Sequence, residues 1–506
     1  MGNNQPKPGR RSMEDISAVG KRVRKNISRI MEGGAGYVDA RFFASDREEQ
    51  LVLYDGNLEG NDTGYESGLG VRVLWGGAWG FAATSDSGDM QGCFDAAAEN
   101  ARTASRLVKV PISMGTREPV EDSYAAPVET SPFDVALGDK LDFLRGIDQE
   151  LSEDWILRRM VMAHLQDRTV HFWNSDGSHI EKRLCNVFGH MVIMALDEDG
   201  RMQRRSMLLY SPGDGTRGWE MMTRPELFGS HAGRIKQELS QLLGAPELEY
   251  GRRSVILLPG QGHLQVHETI GHPLELDRIL GYELSYAGGS FVDLDSFGKL
   301  RYGSEKLNVS SYGGIVNAPG SFGYDDDGTP ERDYLLIEKG ILRNALSSRA
   351  MVDEANKRAG RTVFEDSGGA ARATAFYRAP IDRMTNVNIE PGDDGTLEDI
   401  IAETEDGIVV DNPTSWSIGS NREHFHFGCE IAWEVKEGRR TRVLRNPTYQ
   451  GHTLEFYRSL SAVGDRSTWR VEQVNNCGKG EPNQVMQIGH GVPVVRFDDV
   501  ITGERG

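Results

Sequence analysis

Apolar and polar residues alternate in many short runs of this chain, and glycine-centred turns separate the runs. LYDGNLEG, NSDGS, DEDGR, DDDGTP and IEKGIL each set a turn between alternating stretches, the pattern of β-hairpins. VDARFFAS, EQLVLYDG, LGVRVLWGG and WGFAATSD read as successive strands. Residues 14–32 carry Val, Ile and Met at helical spacing, and the Ala-rich stretch 88–107 predicts a second helix. The segment 109–133 holds four prolines and several acids and reads as a surface connection. A helix near 138–153 and strands through VMAHLQDRTVHFWN, HIEKRLCNVFGHMVIMALD and MQRRSMLLYS then repeat the plan. The expectation is an N-terminal α/β domain built from two similar halves.

A helix over 224–244 opens the second part. SVILLPG at 254–260 has the continuous apolar run of a buried strand. GQGHLQVHETIGHPLELDRILG follows with helical character, interrupted by Gly271 and Pro273, and from about 288 onward the chain reads as strand and turn. The predicted fold class is therefore α+β. An N-terminal α/β domain spans 1–222, and a C-terminal domain of extensive antiparallel β-sheet with one helix-bearing segment spans 223–506.

The bulk properties narrow the function. A chain of 506 residues exceeds one ordinary core, which supports two domains. A net charge of −19 speaks against nucleic-acid or anionic-membrane partners, which need clustered positive charge. The basic run GRRSMEDISAVGKRVRKNISRIM has apolar residues interleaved and reads as a solvated amphipathic helix. No stretch approaches the roughly 18 apolar residues of a membrane span. Arg10–Arg11 lacks the apolar segment of a twin-arginine signal, and Met1–Gly2 lacks the Ser or Thr of a myristoylation site. Four scattered cysteines, Cys93, Cys185, Cys429 and Cys477, form no disulfide framework and point to a reducing cytoplasm.

The chemistry concentrates in VHETIGHPLELD. A zinc helix of the H-E-x-x-H kind sets two histidines four apart on one face, with a glutamate as general base. Here His267 and His272 are five apart, with Glu268 directly after the first. On a regular α-helix five positions separate the side chains by about 140°. A π-bulge absorbs one extra residue and restores a shared face, and Gly271-His272-Pro273 is where such distortion is easiest. The spacing predicts an irregular helix between the two histidines. A third ligand must come from elsewhere. Cys477, in a glycine-flanked turn, and His490 are candidates, as is His263, four residues before His267. His424 and His426 share a strand face and form another possible pair, while Cys429 points away from them and reads as packing.

Together these segments resemble the TldD/PmbA family of metalloproteases, in its TldD-type, zinc-bearing form. VHETIGHPLELD resembles the family's H-E-x-x-x-H segment. PGSFGYDDDGTPERDYLLIEKGIL is similar to its glycine-rich hairpin, RMTNVNIEPGDDGTLEDIIAETEDGIVV to the arm that follows, and NNCGKGEPNQVMQIGHGVP to the terminal cysteine turn. The likeness covers roughly 250–500 and is weaker before it. It implies that His267, His272 and Cys477 bind Zn2+ and that Glu268 is the catalytic base. It further implies hydrolysis of short or unfolded peptides, or of a modified peptide precursor, in a chamber closed by two subunits. The partner would be a second copy or a PmbA/TldE-like metal-free relative. Pro273 and Leu276 stand where the family usually has small residues, a departure that leaves the ligands untouched. H-E-x-x-x-H also resembles dipeptidyl-peptidase III, but the glutamate-bearing helical segment that supplies its third ligand is missing here. A non-catalytic scaffold subunit is the alternative of a different class, and the intact His267, Glu268 and His272 speak against it.

Overall fold

A computed structural model of the chain describes residues 15–209, 216–223, 229–316 and 318–504. Met1–Gly2, Arg10–Arg11 and the first five positions of the helix expected over 224–244 lie outside the described residues.

The chain opens with α1 (Ile16–Glu32), capped by the Asp15 carboxylate on the Ser17 N–H, and with Val19, Val23, Ile27 and Ile30 on its buried face. Three strands follow, β1 (Tyr37–Tyr54), β2 (Asn57–Trp75) and β3 (Ala78–Thr84), and then α2 (Met90–Ser105). The two strands expected at VDARFFAS and EQLVLYDG are one continuous β1. The polar run between them sits in register against β2 and β5 and does not interrupt the ladder. Within 109–133 a short strand, β4 (Glu121–Ala125), adds parallel to β6. After α3 (Leu137–Glu150) come β5 (Arg158–Asn174), β6 (His179–Leu196) and β7 (Met202–Leu208), a short α4 (Glu220–Thr223) and α5 (Gly229–Leu243). These seven strands form one sheet, with the path β3-β2-β1-β5-β6-β4 and β7 beside β6.

Alternation sorts the sheet's two faces. Val38, Ala40 and Phe42 point toward α1 and α2, whereas Asp39, Arg41 and Phe43 point toward the second half of the chain. A register irregularity between Phe43 and Asp46 shifts the parity, and Leu51 and Leu53 then share a core with α3 and α5. Ile235, Leu239 and Leu242 of α5 belong to that same core, so the helix read from sequence as the start of the second domain packs with the first sheet.

In the second half, β8 (Gly251–Leu257) leads into α6 (Pro259–Val266) and α7 (Leu276–Ile279). A four-stranded sheet with the order β11-β10-β9-β14 is built from β9 (Val309–Tyr312), β10 (Asp333–Glu338), β11 (Ile341–Leu342) and β14 (Val387–Ile389). Between them lie α8 (Arg349–Ala359) and a small pair, β12 (Ala371–Arg372) with β13 (Ile381–Asp382). The remaining strands are β15 (Asp406–Ile418), β16 (His424–Lys436), β17 (Arg439–Leu444), β18 (Thr448–His452), β19 (Leu460–Val463), β20 (Arg470–Lys479), β21 (Gln484–Val492) and β22 (Val495–Thr502). The sheet β15-β8-β22-β18-β16 closes on itself, because β15 also pairs with β16; β17 and β19 flank it. Most pairings are antiparallel, and the mixed α+β class with much antiparallel sheet holds; β8 with β15 is a parallel exception. Val255, Ile256 and Leu257 of β8 are wholly buried, as a strand covered on both faces requires. The β20–β21 ribbon stands apart and packs on α6.

Buried ions join the two halves. Arg72 of β2 reaches Asp39 at 2.5 Å and Asp327 at 2.6 Å, and Lys182 of β6 reaches Asp326 at 2.6 Å. At the β7 edge, the wholly buried Glu430 of β16 accepts from Arg204 Nε (2.8 Å), Arg205 (2.9 Å), the Ser206 N–H (2.8 Å) and the Ser206 hydroxyl (2.7 Å). Glu430→Leu strands four donors at once. It should lower unfolding free energy by about 3–5 kcal/mol in urea titrations. A loss below about 1 kcal/mol, the worth of a surface pair, would show that this cluster does not tie the sheets together.

Candidate metal centre

The site begins where β8 ends. Leu258 donates its N–H to the Val410 carbonyl, and Pro259 starts α6 in the first-turn position that tolerates proline. The helix is regular to Val266. There the ladder widens: the His272 N–H bonds the His267 carbonyl, five residues back, and 267–271 form a π-turn. A tighter turn over 272–274 follows, with Pro273 in it, and the chain leaves through an extended Glu275. The irregularity expected from the spacing is present. It brings the His267 and His272 rings to a centroid separation of 4.6 Å at 76°. Gly271 is needed at this point, since a Cβ there would fall 2.2 Å from the Met384 sulfur.

Cys477 arrives from the ribbon. Sequence reading put it in a glycine-flanked turn; instead it lies on β20, opposite Met486 and only 5% exposed. A register shift between Val474 and Cys477 turns its side chain inward, and the turn itself comes later, at 480–483. Its Sγ is 3.5 Å from His272 Nε2. One ligand atom from each of His267, His272 and Cys477 lies within 4.8 Å of the other two.

The neighbours set the protonation pattern. His490 Nδ1 is 2.9 Å from the Val387 carbonyl, which can only accept, so a neutral His490 has its lone pair on Nε2. That nitrogen is 2.8 Å from His267 Nδ1, which therefore donates and leaves His267 Nε2 as an acceptor. His272 Nδ1 faces the Glu275 carboxylate at 3.0 Å, which likewise frees its Nε2. Burial lowers the pKa of His267 to about 4, lowers that of His272, and holds His490 well below the usual histidine range. All three favour the neutral ring a metal needs. Burial alone would raise Cys477, but Arg383 and His272 outweigh it and bring the thiol below its ordinary value. Burial would raise Glu275 too; Lys479, His272 and Arg278 hold it well below the carboxylate range instead. Two neutral imidazoles and a thiol inclined to ionise, each backed by a polar partner, form a donor set that suits zinc.

Glu268 is 7% exposed and borders a cleft of about 900 Å³ together with Trp416, Ile418 and Val474. Its carboxylate is ion-paired with Arg422, which also donates to the Ala287 carbonyl at 3.2 Å. Arg422 occupies the turn between β15 and β16 with φ of 67°, a left-handed conformation unusual for a side chain of this size. His263 borders the cleft but stays outside the three-residue group, and His490 supports His267 from behind. His424 pairs across the sheet with His452, away from the centre, and Cys429 is a buried packing residue. Sequence reasoning missed Arg422, Glu275, Arg383 and Lys479. Only Glu275 carried a signal, because a position three after His272 sits beside it on a helical turn.

The model of the PmbA/TldA metallopeptidase C-terminal domain matches residues 250–503, and that of PmbA/TldA metallopeptidase domain 1 matches residues 39–102. A metalloprotease of Methanocaldococcus jannaschii is 26% identical over 475 residues, which cover 93% of this chain and 98% of that protein. A zinc metalloprotease TldD homolog of Saccharolobus solfataricus is 23% identical over 501 residues, covering 95% and 99%. The fold is shared with TldE of Thermococcus kodakarensis, at a TM-score of 0.67 and 15% identity over 96% of this chain and all of that one. With the C-terminal model spanning half the chain and the first-domain model falling on the first sheet, this protein belongs to the TldD/PmbA family of metallopeptidases.

Proposed function

We propose that the chain is a zinc-dependent peptidase whose substrates are short or unfolded peptides, or a modified peptide precursor. The observation that carries this reading is the convergence of His267, His272 and Cys477, within 4.8 Å, beside the cleft-facing Glu268. When bound, zinc supplies Lewis-acid polarisation of the peptide carbonyl and lowers the pKa of water toward neutrality.

The chain's own residues do the rest. Glu268 takes the proton of the attacking water and passes it to the departing amine. Arg422 fixes the orientation of that carboxylate. His490 and Glu275 lock the tautomers of His267 and His272, so that Nε2 of each ring keeps a lone pair for a metal. β20 pairs with β21 along one side, and its residues Gln473–Gly478 border the cleft on the other. An extended peptide would lie along that edge and bond main chain to main chain, which reads backbone more than side chains. A second subunit, either another copy or a metal-free PmbA/TldE-like relative, would close the cleft into a chamber. No helix among the described residues is long and apolar enough to cross a membrane.

Glu268→Gln should cut hydrolysis of an unstructured peptide by about 100-fold or more, with zinc content by elemental analysis unchanged. Undiminished turnover would remove Glu268 as the base. Replacing His490 by Phe takes away the acceptor behind His267 without touching a ligand. Zinc affinity, measured by chelator competition, should fall about 10–100-fold. Cys477→Ser should release zinc more readily still, and an unaltered zinc content in that variant would send the third ligand elsewhere.

A further inference from the structure

A second cavity, of about 290 Å³, lies between the first sheet and the segments around 319–326 and 371–375. His164, Asn475 and Val485 border both this cavity and the cleft of the metal centre. Asn475 Nδ2 and His164 Nδ1 meet at 2.9 Å on that shared border. Nothing in the hydrolytic chemistry uses the second space.

Its ion pairing is uneven: acids and bases line it in similar number, yet not every cation touches a carboxylate. Each bordering acid is already engaged. Asp46 takes Arg168 at 2.6 Å, Asp326 takes Lys182 at 2.6 Å, Glu48 holds His164 at 2.5 Å, and Glu66 accepts from the Tyr377 hydroxyl at 3.2 Å. Asp325 accepts three backbone N–H groups, and burial beside Asp327 pushes it up to about 7. Two guanidiniums are left over. Arg372 donates to the Met384 and Gln487 carbonyls, at 2.8 and 3.2 Å, and its guanidinium sits 5.3 Å from the centre of the Phe322 ring. Arg217 donates to the Ser321 carbonyl at 2.9 Å and to the Asn186 side chain. Among the described residues neither forms an ion pair with a carboxylate. Arg217 is buried and Arg372 half-buried, and a cation withdrawn from water with no carboxylate in contact is expensive to keep. Burial, together with nearby Arg383, lowers Arg372 to about 9, and the Asp326 carboxylate offsets this only in part.

We propose that this cavity is a carboxylate subsite of the peptide channel, in which Arg372 and Arg217 receive a carboxylate of the substrate beyond the Asn475–His164 contact. A planar guanidinium fork suits a carboxylate in two-point geometry, and two such forks at the end of a peptide path read a terminus rather than a sequence. The carboxylate comes from the C-terminus or from an acidic side chain. The inference rests on the peptidase reading, since it takes the bound peptide to run from the metal centre past Asn475.

Binding and turnover test the two separately. The zinc-loaded Glu268→Gln protein is titrated calorimetrically with three forms of one peptide: free acid, C-terminal amide, and amide carrying one internal aspartate. The free acid should bind about 10-fold more tightly than the plain amide, the worth of one charge-assisted contact. Tight binding of the aspartate-bearing amide alone would keep the carboxylate subsite and assign it to a side chain. In otherwise native zinc-loaded enzyme, Arg372→Met should raise KM for the preferred acid about 10-fold, with kcat within about threefold, and should leave the plain amide unaffected. Arg372→Lys should recover part of the loss. Equal affinity for all three peptides, or an equal loss on acid and amide in Arg372→Met, would overturn the subsite. Absence of hydrolysis in the native enzyme despite selective binding would refute the peptidase reading and leave the subsite standing.

Discussion

One hydrogen bond organises the catalytic half: the His272 N–H reaching the His267 carbonyl five residues back. An α-helical ladder at that point would turn the two imidazoles about 140° apart and leave no shared face. Widening the turn costs helix geometry, and the local sequence lowers that cost. Gly271 leaves room for the Met384 sulfur, and Pro273 needs no N–H partner of its own. The surrounding packing then makes the distortion permanent. Thr269, inside the widened turn, binds the Gln265 carbonyl and the Tyr457 hydroxyl (2.9 Å), and the Tyr302 hydroxyl donates to the Thr269 carbonyl. A turn held from several directions does not relax back to a regular helix.

Beneath the rings lies a lattice of charge that the donor set depends on. Glu275, wholly buried, faces His272 and is approached by Arg278 at 3.4 Å, Lys479 at 3.4 Å and Arg383 at 3.8 Å. Lys479 also holds Asp277 at 2.5 Å, and Arg383 donates to the Cys477 carbonyl at 2.7 Å. Arg383 thereby serves two ends. It lies beside the carboxylate that orients an imidazole, and it biases the nearby thiol toward thiolate. Hydrophobic residues of similar volume could fill this space with less desolvation, but they could not set the protonation of a histidine and a cysteine together.

The sequence was legible where a local rule operates. Helical and strand periods marked most elements to within a few residues, the five-residue spacing required a bulge, and the terminal segment contained the cysteine. It was illegible where tertiary pairing decides. The polar run between VDARFFAS and EQLVLYDG looks like a break, yet ladders on both sides carry β1 straight through it. Helix α5 reads from sequence as the opening of the second domain but finds most of its apolar partners in the first sheet and α3. Cys477 has the glycine neighbours of a turn, and only the bulge in β20 shows that it is buried. Arg422 sits about 150 positions from Glu268, and nothing in local sequence links a turn residue at one end of a strand to a carboxylate on a helix.

The ribbon β20–β21 explains why these parts come as a set. Cys477 on one strand completes the donor group, and His490 on the other fixes the tautomer of His267. Asn475 and Val485 border both cavities, while Met486 and Gln487 border only the second. A slip of one residue in this pairing would turn Cys477 out of the centre and move His490 off its partner, because side chains alternate between faces. The register therefore has to be specified strongly. Arg383 supplies part of that specification, bonding the Cys477 carbonyl on β20 and the Gln484 carbonyl on β21 at once. The Gly491 N–H on the Asn388 side chain and His490 on the Val387 carbonyl anchor the far end to β14. The candidate metal centre and the second cavity thus both depend on one strand pairing, and whatever displaces the ribbon changes both together.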